Sequence, residues 1–239
     1  MLGRWDKRRR FRLFDFVLAG NKYAELSNKY KVCLATQSSI ERLNSLTEVS
    51  NHWEAPISLS VFVAGNELSL VELYVNYLTL CFPETMDRVS LHYVISPDHP
   101  PTTEQPNIAI YENCDDPEGV LKELLTYQSN ETKKWKETML YPQNILRNQA
   151  RSNCHTSHVL VTDIDIIPSY GMTEGIDLFL KRELCDNLCA YVVPVYEVSE
   201  NASFPMSKSD IINLHNLKLA RPFHEKIFSV AQSSTDYKR

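Results

Sequence analysis

Glycine is scarce in this chain, 6 residues in 239, and no tract is repeated or of low complexity. Fibrous and linker-dominated architectures are excluded on that ground. No apolar stretch is long enough to span a bilayer: the nearest candidate, residues 13–19, is short and broken by Asp15. The same break makes it a poor signal-peptide core. An excess of positive charge is missing too, since 25 Lys and Arg face 30 Asp and Glu for a net charge of −5. There is no global electrostatic case for a nucleic-acid partner. The one basic cluster, residues 4–12, reads as a solvated arm. None of the seven histidines falls in an HExxH pattern, and Cys185 and Cys189 have no second Cys/His pair near them, which excludes a zinc site.

What is there is a chain of ordinary globular composition, long enough for one sizeable domain with a real core. Six cysteines, at 33, 81, 114, 154, 185 and 189, permit up to three disulfides in a secretory lumen, with the pairing left open. The sequons Asn130-Glu131-Thr132 and Asn201-Ala202-Ser203 fit the same compartment.

Strand and helix patterns alternate along the chain. Strands are predicted at 31–36, 57–64, 88–95, 108–111, 158–161 and 190–198. Helices are predicted at 39–49 (capped by Ser38 or Ser39), 67–81, 117–127, 135–151 and 173–184. Strands separated by helices of such length imply a mostly parallel sheet covered on both faces, with ligands at the carboxyl ends of its strands.

Asp163 and Asp165 fall at such an end, directly after the apolar run at 158–161. Two carboxylates that close repel, and partial burial is costly unless a cation joins them. Their oxygens suit a hard divalent ion that also holds a diphosphate, Mg²⁺ or Mn²⁺. The competing reading is a strand-to-turn junction with two solvated acids. An Asp-nucleophile phosphohydrolase would also need downstream Lys and Asp-Asp motifs, which the chain does not carry. Ahead of this strand Asn144, Arg147, Asn148 and Arg151 are spaced i, i+3, i+4, i+7 and form one polar stripe on a helix. That stripe is either a solvated face or a surface turned to phosphate or carboxylate oxygens, which the fork of arginine suits.

Four motifs occur in order: YPQNILRNQAR (141–151), VTDIDIIPSYGM (161–172), VVPVYEV (192–198) and FPMSKSDI (204–211). KVCLATQSSIERLNSL (31–46) and HWEAPISLSVFVA (52–64) precede them. Together they resemble the glycosyltransferase family 49 domain, which includes glucuronyltransferases. The resemblance implies an α/β fold of the GT-A type, a mostly parallel Rossmann-like sheet with helices on both faces, over residues 30–239. Residues 1–29 are then a basic arm or the remnant of a stem. It further implies an inverting, metal-dependent transferase that moves a sugar, glucuronate among the candidates, from a UDP-sugar to an oligosaccharide or glycoprotein acceptor. The setting is the Golgi lumen, with membrane association only through an anchor absent from this chain.

Carried onto these positions, Asp163 and Asp165 would hold Mn²⁺ or Mg²⁺. Asn144 and Arg147 would meet the donor's diphosphate or sugar, and Thr36 and Gln37 the nucleoside. Glu197 is the candidate catalytic or acceptor-binding carboxylate, and Lys208 a further contact for a substrate anion. The family domain continues beyond Arg239, where a histidine ligand and the general base are expected. The expectation is therefore a donor-binding chain that does not transfer sugar unaided. The alternative is a non-catalytic homologue that binds a sugar nucleotide or a partner.

Overall fold

Ile57–Val63 reads Ile-Ser-Leu-Ser-Val-Phe-Val, and every one of its residues is buried. Ile57, Leu59, Val61 and Val63 enter the main hydrophobic core. Phe62 belongs to a second, smaller cluster, and Ser58 and Ser60 bond to a helix on that same side. Successive strand residues point to opposite faces, so this strand lies inside a sheet covered on both sides.

The structure, a computed structural model, describes residues 3–102, 113–182, 188–228 and 235. The strand expected at 108–111, the last two residues of the helix expected at 173–184, and Cys185 lie outside the described residues. The chain divides into two units, Met1–Pro168 with Met172–Lys181, and Ser169–Gly171 with Arg182–Arg239. The first contains β1 (Arg4–Trp5), β2 (Arg12–Ala19), α1 (Tyr23–Lys29), β3 (Val32–Ser39), a 3₁₀ turn (Ile40–Arg42), α2 (Ser45–Asn51) and β4 (Ile57–Val63). There follow α3 (Glu67–Cys81), α4 (Pro83–Met86), β5 (Val89–Ile95), α5 (Pro117–Thr126), α6 (Asn130–Thr138), α7 (Gln143–Ser152), β6 (His158–Val161) and α8 (Met172–Arg182). The second unit holds β7 (Tyr196–Val198), α9 (Lys208–Asn216) and β8 (Ala220–Pro222). Among the described residues no helix is long and apolar enough to cross a membrane.

The main sheet has the order β1-β2-β5-β4-β3-β6. The four strands from β5 to β6 are parallel, and β2 runs antiparallel to β5 at the edge. From β3 the chain steps to β4 and β5 on one side, while β6 joins on the other side of β3. The carboxyl ends of β3 and β6 therefore flank a topological switch point, the place where open α/β sheets bind ligands. This is the GT-A-like α/β fold the sequence implies.

Several elements differ from their predicted form. Residues 12–19, expected within an arm, form a sheet strand, because Asp15 is not left to solvent. Its carboxylate accepts from Arg4, Gln149 and Asn153. The helix expected from residue 39 starts later: Gln37, Ser38 and Ser39 stay in register with Ser60, Val61 and Phe62, which holds the backbone extended. The single helix expected over 135–151 breaks in two at Pro142, which lacks an N–H and disfavours helix in the residue before it. The strand expected at 190–198 shortens to β7 and pairs antiparallel with β8, outside the main sheet. Pro194, with no N–H to give, precedes it. Disulfides join Cys33 to Cys154 and Cys81 to Cys114, and Cys189 is also disulfide-bonded.

Candidate functional site

Thr162 donates its N–H to Ala35, prolonging the pairing of β6 with β3 by one residue before the chain leaves the sheet. Ile164 is then buried in the main core and pins the turn. The Ile166 N–H donates to the Asp163 carbonyl and closes it. With Ile164 turned inward, Asp163 and Asp165 on either side line a pocket of about 260 Å³. Gln37, Ser38 and Ser39 from the end of β3, Arg42 from the 3₁₀ turn after it, Tyr141 from the approach to α7 and Ile164 complete its wall. The volume falls short of the roughly 300–1,000 Å³ typical of sites that enclose a whole ligand, so it is sized for part of one.

Asp163 sits at the centre of a hydrogen-bond chain. Tyr141 donates its hydroxyl to Gln37 Oε1, and Gln37 Nε2 donates to Asp163 Oδ1 at 2.9 Å. Arg147 Nη2 donates to both oxygens of Asp163, at 2.7 and 2.9 Å. Partial burial pushes the Asp163 carboxyl up, but the bonds from Gln37 and Arg147 outweigh it and leave it below the ordinary carboxylate value. Asp165 is exposed and has no hydrogen-bond or ion-pair partner among the described residues.

Helix α7 is placed by its buried face, Leu146, Gln149 and Ala150. Beneath it the strands carry small residues. Ser58 donates to the Ala150 carbonyl at 2.7 Å and Ser60 to Gln149 Oε1 at 2.6 Å. This close seat, with the Cys33–Cys154 bond at the helix's far end, sends Arg147 from the flank of α7 to Asp163. Asn144, Asn148 and Arg151 are exposed, so the predicted stripe divides and only Arg147 reaches the aspartates. Gln37 lines the pocket. Thr36 is fully buried, its Oγ1 has no hydrogen-bond partner, and it does not line the pocket.

Spacing along the sequence does not bring out Tyr141 and Arg42 as pocket residues, nor the ion cluster beside them. Lys136 donates to Glu41 at 2.6 Å and to the fully buried Glu67 at 2.7 Å. Gln128 and the Ala64 N–H also donate to Glu67. Burial alone would lower the Lys136 amine, but the two glutamates raise it, so it stays charged. In the second unit, Glu197 accepts from Arg221 at 2.5 Å and from the His224 N–H at 3.0 Å. The His224 N–H, with Arg221, holds its carboxyl below the ordinary value. These contacts tie β7 to β8. Lys208 is the exposed first residue of α9, whose N-cap is Ser207.

The donor set fits a hard divalent ion bound in part by its ligand. Mg²⁺-type sites commonly use one or two carboxylates completed by substrate phosphates, and Asp163 and Asp165 supply two. Among the described residues no group of three or more His, Cys, Asp or Glu is placed to hold a metal ion.

Residues 31–239 match the protein family described as "Glycosyl-transferase for dystroglycan". The chain is similar to human "Beta-1,4-glucuronyltransferase 1", with 29% identity over 213 residues, covering 87% of this chain and 50% of that protein. The Danio rerio protein of the same name is 27% identical over 218 residues, covering 87% of this chain and 49% of its own. Human "Xylosyl- and glucuronyltransferase LARGE1" is 23% identical over 218 residues, covering 90% of this chain and 23% of its own. The chain spans about half the length of the first of these relatives.

Proposed function

The chain belongs to glycosyltransferase family 49, and from that premise we propose that its pocket binds the diphosphate end of a UDP-sugar around a divalent cation for transfer to a glycan or glycoprotein acceptor. The observation that carries this reading is the meeting of Asp163, Asp165 and Gln37 in one pocket at the switch point of the sheet, with Arg147 bonded to Asp163. Asp163 and Asp165 hold the cation, Mn²⁺ or Mg²⁺. When bound, it neutralises charge gathering on the departing diphosphate. Gln37 orients Asp163, and Tyr141 fixes the Gln37 amide in turn. Arg147 turns its fork to donor oxygens, and Asn144, in the first turn of α7, is a further donor contact. Relatives named as glucuronyltransferases support glucuronate as the sugar. The disulfides support an oxidising lumen such as the Golgi.

Calorimetric titration with UDP and Mn²⁺ tests the reading. Saturable binding that requires the metal is expected, weakened about ten- to a hundred-fold by Asp163→Asn or Asp165→Asn, the worth of a lost charge-assisted contact. Binding indifferent to the metal, or unchanged in both variants, overturns it.

A further inference from the structure

Arg42 is the one cationic side chain among those lining the pocket. Its backbone is fixed at the end of the 3₁₀ turn between Ile40, fully buried, and Leu43, 1% exposed. Its guanidinium is exposed and has no hydrogen-bond or ion-pair partner among the described residues. The contrast with Arg147 is informative, because Arg147 spends its donors on Asp163. Arg42 shares the pocket with Asp163 and Asp165 and pairs with neither.

We propose that Arg42 is a donor-binding residue that meets an oxyanion of the donor, a phosphoryl or a sugar carboxylate group. The inference rests on the sugar-nucleotide reading above. A guanidinium presents five donors in a rigid fork that matches carboxylate and phosphate oxygens, and a neutral sugar makes little use of its charge. A cation shared by two carboxylates still leaves the oxygens of a diphosphate, or of a uronate, with charge to be met from the opposite wall. Arg42 is the pocket-lining side chain with the chemistry to meet it. Held between two core anchors and already free of internal partners, it breaks no ion pair to engage the ligand.

The test titrates UDP, UDP-glucose and UDP-glucuronate, each with Mn²⁺, into the full chain and into Arg42→Gln and Arg42→Lys. Because Arg42 is exposed, both variants are expected to unfold at the wild-type temperature. Arg42→Gln is expected to weaken UDP-glucuronate about tenfold or more, and Arg42→Lys to recover only part of that loss, since the fork is gone. An equal loss for all three ligands identifies the oxyanion as phosphoryl, and a loss confined to UDP-glucuronate identifies it as the sugar carboxylate. Wild-type affinity for all three in Arg42→Gln overturns the role of Arg42 and leaves the functional reading standing. Wild-type protein that binds none of them overturns both.

Discussion

Arg147 grips Asp163 by both carboxylate oxygens, and Gln37 takes a second bond on one of them. The guanidinium thus gives Asp163 the positive neighbour that a divalent ion would otherwise provide. A metal entering at Asp163 competes with this guanidinium for the same carboxylate oxygens. In the absence of nucleotide, Arg147→Met is therefore expected to bind Mn²⁺ about tenfold more tightly than wild type, the worth of one charge-assisted bond no longer broken. Metal titration followed by electron paramagnetic resonance reads this directly. Equal or weaker Mn²⁺ affinity in the variant shows that metal and guanidinium do not compete.

In the proposed function the same arginine, once released, would serve the donor by geometry as well as charge. Arg147→Lys keeps the charge and loses the fork, so its affinity for UDP with Mn²⁺ should fall about tenfold. Arg151→Lys changes an exposed residue near the carboxyl end of α7 and should leave that affinity unchanged. Identical behaviour of the two variants returns both residues to the solvated face.

Lys136 stands between two carboxylates, one of them fully buried. Lys136→Met strands Glu67 as an unpaired buried acid and should cost about 3–5 kcal/mol in urea unfolding, most of it restored when Glu67→Gln is added. A single variant within about 1 kcal/mol of wild type would place the cluster among ion pairs of little net value.

His92 is fully buried. Its Nδ1 accepts from the Phe16 N–H, and its Nε2 meets Ser58 and Ser90. Burial lowers the imidazole from its ordinary 6.5 to about 4, with Asp15 pulling it upward and Arg4 and His155 downward. The unfolded chain binds this proton first. The stability His92 contributes by staying neutral is therefore complete above pH 6.5 and is lost as pH falls through 4. The difference is on the order of 3 kcal/mol. Stability curves of wild type and His92→Gln should converge on acidification across that window. Asp15, held at about 2, loses its own contribution below it. Parallel curves would clear His92 of the role.

Much of this molecule is legible in its sequence where one local pattern decides one element. Helix α3 spans Glu67–Cys81, the bounds predicted for a long, mostly apolar helix after Gly65-Asn66, and β6 ends where the apolar run ends, ahead of Asp163. The failures arise where distant residues decide. Asp15 breaks an apolar run in sequence, yet Arg4, Gln149 and Asn153 satisfy it in space. Ser38 and Ser39 look like the cap and start of a helix until β4 holds them extended. Arg147 was identifiable from its place in a motif. Arg42 and Tyr141 become pocket residues only once the topology sets the end of β3 beside the turn after β6.

That topology also dates the site in the order of folding. Gln37 and Asp163 stand 126 residues apart, and β3 and β6, which bring them together, pair across a loop that contains β4, β5 and α7. Contacts of such long range are slow, because the entropy of closing the loop precedes any reward from the pairing. The pocket is therefore expected to be completed late, when its acidic half meets the half supplied by β3. Once β6 docks, the Cys33–Cys154 bond can make the closure permanent. On the proposed function, metal-dependent nucleotide affinity would also serve as a clock for maturation, acquired by a newly made chain when its most distant pair of parallel strands, β3 and β6, has met.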